Sequence, residues 1–142
     1  MDARSAARAL AAGRVAIGLA LIVAPTRGTR GWIGDLADEP GARVLTRSLG
    51  IRDLILGGIA LHTVDHPEVG PRWLRTCAVA DLVDLGATLA ARKALPPSGV
   101  VGVGLLAAGA AAAGFALAGQ VEAPAGSAPV GTDGEPPLPP PD

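Results

Sequence analysis

From Gly99 to Gly119 the chain runs for 21 residues without a single charged side chain, a length that matches the ~20 residues a helix needs to cross a hydrocarbon core. Three earlier stretches have a similar length but hold charges. Residues 6–24 contain Arg8 and Arg14 and stop at Pro25. Residues 44–64 read VLTRSLGIRDLILGGIALHTV, and residues 73–91 read WLRTCAVADLVDLGATLAA. Each is bounded by breakers: the Gly/Pro-punctuated stretch 25–43, the turn Asp65 to Pro71, and Pro96-Pro97, after which Ser98 is the expected N-cap. The expected fold class is all-α, a four-helix transmembrane bundle over residues 1–121. Its helices are expected at about 6–24, 44–64, 73–91 and 99–119, with 25–43 a polar loop. Residues 122–142 hold seven prolines and four acids with no base, which predicts a disordered, solvated tail.

Composition supports a chain packed through small residues. The hydrophobic share is 49%, yet Trp32, Trp73 and Phe115 are the only aromatics beside 20 glycines. Soluble cores draw much of their buried area from aromatics. Helices in lipid approach one another through Gly and Ala. Two rival readings exist. Basic residues before the apolar run 15–24 also describe a signal peptide, although Pro25 follows a poor cleavage site. A soluble three-helix domain with 99–119 as its single anchor is the other. It would need a whole charged face on each helix, whereas segments two and three each carry three charges. Trp73 at a span end and Trp32 in the first loop suit interface anchors. The location read from this is the cell membrane, multi-pass. The arginines divide almost evenly between the two ends and favour neither orientation.

A net charge of −1 leaves no basic surplus for nucleic acid. A lone cysteine, Cys77, permits no intramolecular disulfide. His62 and His66 are the only histidines, too few for a His-based metal cage. No phosphate loop, nucleophile triad or cofactor motif is present. The expected partner is membrane lipid, and the Gly/Ala face of helix 99–119 offers a surface for a homo-oligomer.

The charges inside the spans are the informative residues. Arg14 lies near the middle of the first span, Arg52 and Asp53 at the centre of the second, and Asp81 and Asp84 at the centre of the third. These five lie at similar depth, and Arg47, about two turns from the middle of the second span, brings the count to three positive groups and three negative ones. A charge at a helix centre costs ~2.5–3.5 kcal/mol on insertion scales, so the set is expected to pair across helices and face inward. Arg52 and Asp53 are about 100° apart on a helix, which predicts that their partners come from other helices. Arg14 with Asp81 or Asp84 is the first expected pair, and Arg52 with Asp81 or Asp84 the alternative. Spacings of four, three and four put Cys77, Asp81, Asp84 and Thr88 on one stripe and Thr46, Gly50, Asp53 and Gly57 on another.

The string R-x-L-G-x-R-D-L-x-L-G from Arg47 to Gly57, followed by a third helix with A-D-L-x-D, resembles an uncharacterised family of small four-helix bacterial membrane proteins with a DoxX-like architecture. The resemblance spans residues 8–119 and implies four helices and a membrane location, with no activity attached. Two functions are expected from the charges. One is a structural or accessory membrane protein whose Arg/Asp network holds the bundle. The other is a membrane-embedded enzyme or proton-coupled carrier for a lipid-like or isoprenoid molecule, with Asp53, Asp81 and Asp84 the candidate catalytic groups.

Overall fold

A computed structural model describes residues 2–122. The tail expected at 122–142 lies outside the described residues, apart from Glu122. Every regular element among the described residues is helical. Helix α1 spans Ala3–Val23, α2 Pro25–Ile33, α3 Pro40–Thr63, α4 Val69–Ala90 and α5 Pro97–Glu122, with a 3-10 turn at Gly34–Asp38. The helices α1 and α5 are long and apolar enough to cross a membrane.

The boundaries depart from expectation in one consistent way. Pro25, Pro40 and Pro97, each expected as a breaker, are instead the first residues of α2, α3 and α5. The proline ring fixes φ near its helical value, and the N–H it lacks has no partner in a first turn. Ser98 is therefore the second residue of α5 and not its cap. At the N-terminus, Asp2 caps α1 by accepting from the Ser5 N–H at 2.9 Å, so the helix begins before residue 6.

The stretch 25–43, expected as a loop, contains α2 and the 3-10 turn. Its glycines are poor helix formers, but tertiary contacts outweigh that cost. A Cβ on Gly28 would stand 2.8 Å from Leu21 Cδ2, so the glycine lets α2 fold back closely on α1 without moving that side chain. The Thr29 hydroxyl donates to the Pro25 carbonyl at 2.8 Å. Arg30 pairs with Asp35 at 3.3 Å and with Asp38 at 2.5 Å, tying α2 to the turn after it. Gly34 has φ +64°, a conformation that favours glycine.

The four long helices form a ring in the order α1, α3, α4, α5, each packed on its two neighbours. Glycines set the closest approaches. A Cβ at Gly18 would meet the Gly50 carbonyl oxygen at 2.6 Å, and one at Gly57 would meet the Ala11 carbonyl oxygen at 2.9 Å. Residue numbers rise on α1 as they fall on α3, so the pair is antiparallel. Gly114 of α5 seats against Ala78 and the Leu74 carbonyl of α4 in the same manner. The N-terminus, the α3–α4 turn and the end of α5 share one end, where Ala7, Val64, Leu74, Ala118 and Val121 cluster.

The distribution of residue types is inverted relative to a soluble domain. The interior is mostly alanine, with Asp53 and Asp81 buried among it, while large aliphatics lie outside. Ile51, Ile55 and Leu61 are exposed on α3, as are Val79, Leu82 and Val83 on α4. Between Ser48 and Leu61 on α3, and between Thr76 and Ala91 on α4, no exposed residue is charged. At 1.5 Å rise per residue, each uncharged outer face is roughly 20 Å long. Exposed charge gathers beyond these faces, at the two ends of the bundle.

Candidate functional site

Helical spacing turns the expected stripes inward. Thr46, Gly50, Asp53, Gly57 and Ala60 are the buried residues of α3, and Cys77, Asp81 and Thr88 are buried on α4. Where these stripes meet α1, the charges join in a single chain, in the order Asp81, Arg14, Asp53, Arg52, Asp84.

Arg14 is the hub. Its Nη1 donates to Asp53 Oδ1 at 3.0 Å, and its Nη2 donates to Asp81 Oδ1 at 2.5 Å and to the Cys77 carbonyl at 3.3 Å. One planar guanidinium thereby ties α1 to both α3 and α4, a geometry that a lysine point charge does not reproduce. Arg52 donates to both oxygens of Asp84, at 2.9 and 2.6 Å, the bidentate arrangement that gives the strongest charge-assisted bonds. Asp53 Oδ1 is shared, since Arg52 Nη2 also reaches it at 3.1 Å. The two expected pairings therefore coexist, Arg14 with Asp81 and Arg52 with Asp84.

Arg52 and Asp53 take partners from other helices, Asp84 and Arg14, and Arg52 also bonds its neighbour Asp53 at 3.1 Å. One expectation is corrected. Arg47 is not in the network. It is exposed, and its Nε donates to the Ile22 carbonyl at 3.3 Å, near the end of α1. Without Arg47 the balanced set of three and three becomes three carboxylates against two guanidiniums.

The network borders a cavity of about 350 Å³. Arg14, Asp53, Asp81 and Asp84 line it together with aliphatic walls from α1 and α5, among them Ile17, Leu21, Val103 and Leu106. Side chains of Arg14, Asp53 and Asp81 retain about 10% exposure, against 32% for Arg52 and 23% for Asp84. The Arg14 half is thus the shielded half.

No family model matches the chain, and neither a curated protein nor a solved structure is found similar to it.

Two contributors to this site escaped sequence reasoning. Trp32, expected as a wet interface anchor, lines the cavity from α2, and its buried indole N–H has no acceptor among the described residues. The α5 wall is the other. Its residues are uncharged and nothing in their spacing distinguishes a cavity wall from a lipid-facing surface. Trp73 packs on Ala11, Ala60 and Cys77. Cys77 is buried, with its thiol 3.7 Å from the Leu56 carbonyl, so its part is structural and its backbone carbonyl supports Arg14.

Away from the centre, Arg8 pairs with Asp65 at 2.6 Å, joining α1 to the α3–α4 turn, and Arg75 pairs with Glu122, joining α4 to the end of α5.

Proposed function

We propose that this chain is a multi-pass membrane protein of four spans whose bundle carries a half-open binding cavity for a small lipid-like molecule. The observation that carries the reading is the placement of charge on α3 and α4. Every charged residue in their middle thirds turns inward onto the network and the cavity, while their outer faces are aliphatic. Inserting such helices leaves their mid-helix charges paired and mostly turned from lipid, with Arg52 the most exposed at 32%, which lowers the cost that their composition alone would carry. The DoxX-like resemblance of residues 8–119 agrees with four spans and is proposed as kinship.

In this reading the Arg/Asp chain has two duties. It holds three helices in register, and it forms the polar patch of an otherwise apolar cavity, whose size lies within the ~300–1,000 Å³ of small-molecule sites. Purification in mild detergent followed by mass spectrometry of bound small molecules tests it. A stoichiometric amphiphile that is lost on Ile17→Trp, which fills the cavity, supports the reading; an empty protein counts against it.

A second reading has one observation in its favour. Both guanidiniums are fully committed to carboxylates, as a purely structural network requires. The chain would then be an accessory subunit with no ligand. Asp84→Asn separates the two: loss of protein level with no bound molecule fits the structural role, and retained level with a lost ligand fits the binding role.

A further inference from the structure

We propose that the cavity is a site for a lipophilic cation, an amphiphile bearing one positive charge, held against Asp81 in competition with a proton. The inference rests on the membrane-cavity reading above and adds the charge class of the ligand.

The argument begins with a charge count. Among the described residues, Asp53, Asp81 and Asp84 face only Arg14 and Arg52, so the cluster carries one negative charge in excess. The bonds say where it sits. Asp84 receives Arg52 on both oxygens. Asp53 receives two guanidiniums on Oδ1. Asp81 receives Arg14 alone, on one oxygen, and is the least compensated of the three. The groups around it are Arg14 from α1, Asp53 from α3, and Asp84 and Cys77 from its own helix. Helix α5 brings no titratable side chain near it, Glu122 being held by Arg75 at the far end.

An excess charge shielded from water is costly and must be neutralised or paired. A proton does this when the cavity is empty. A cation does it when the cavity is filled, and the aliphatic walls require that the rest of that cation be apolar. An anionic amphiphile would add to the excess charge.

The test uses the full chain in mild detergent, titrated calorimetrically against matched empty micelles. The probes are benzyltrimethylammonium, a permanent cation, and neopentylbenzene, its neutral isostere. At mildly alkaline pH the cation is expected to bind roughly tenfold or more tightly than the isostere. As pH falls, its affinity should drop toward a limit of tenfold per pH unit, as competition with one proton requires, while the isostere is unaffected. Two buffers of different protonation enthalpy should count one proton released per cation. Asp81→Asn should remove the cation's advantage and keep isostere binding; if that variant loses isostere binding as well, the pH series of the unaltered protein decides. Isostere binding with no preference for the cation at any pH overturns the inference and leaves the cavity reading standing. Cation binding without pH dependence overturns the proton competition. Failure of both probes rejects the cavity itself.

Discussion

Arg14 and Arg47 are both arginines near or within apolar stretches, yet their surroundings assign them opposite weights. Among the described residues Arg14 is the only cation touching Asp81, so Arg14→Ala strands that carboxylate and halves the support of Asp53. Breaking a buried pair by removing one partner typically costs ~3–5 kcal/mol, a large share of a total stability of ~5–15 kcal/mol. The variant is expected to unfold at clearly lower temperature in detergent and to accumulate poorly in membranes. Adding Asp81→Ala should return part of the loss, because it removes the stranded charge. Arg47→Ala should be near neutral, since an exposed side chain bonded to one carbonyl at 3.3 Å contributes little. Equal damage from Arg47→Ala and Arg14→Ala in a thermal-unfolding series would contradict this arrangement of the network.

Among the helices, the antiparallel pair α1–α3 is held by backbone proximity more than by side-chain bulk. Gly18 faces the Gly50 carbonyl and the Leu54 amide, both within 2.7 Å of where a Cβ would stand, and neither is a flexible atom that can step aside. Gly18→Ala must push α1 away from α3, and overpacking of this kind costs ~1–3 kcal/mol. It should also lengthen the Arg14–Asp53 contact, which lies one turn along. Gly58, next to Gly57 on α3, meets nothing within 4 Å. Gly58→Ala is expected to leave thermal stability unchanged or slightly raised, as alanine is the better helix former. Comparing the two melting temperatures checks the interface: a Gly18→Ala protein as stable as Gly58→Ala would mean that the helices do not approach there.

For the molecule as a whole, four long helices in a ring put the α3–α4 turn and the α4–α5 connection at opposite ends. Cys77 is the sole cysteine, so a Cys77→Ala background accepts single reporter cysteines cleanly. In sealed vesicles, a membrane-impermeant maleimide should label His66→Cys and Lys93→Cys from opposite faces, with residues near the N-terminus sharing the face of His66. Labelling of His66→Cys and Lys93→Cys from the same face would mean that α4 does not cross, and would favour a protein held only by α1 and α5.

The amino-acid sequence by itself determined the four long helices and which face of α3 and α4 turns inward. Helical periodicity is local, and residues such as Asp81 and Thr88 fall on one stripe whatever surrounds them. It also placed Arg14, Arg52, Asp53, Asp81 and Asp84 at similar depth, because depth follows from distance along each segment. Only the tertiary structure decided the partners. Pairing depends on how far each helix rotates and slides on its neighbours, which contacts such as Gly18 on Gly50 set, and those contacts join residues far apart in the chain. For the same reason α2 formed where glycines and a proline suggested a loop: Gly28 allows close packing on Leu21, a contact outside any local window. The exclusion of Arg47, the excess negative charge that follows from it, and the cavity between α1 and α5 are likewise properties of the packed ring, since each is defined by what side chains from separate helices leave unfilled or unpaired.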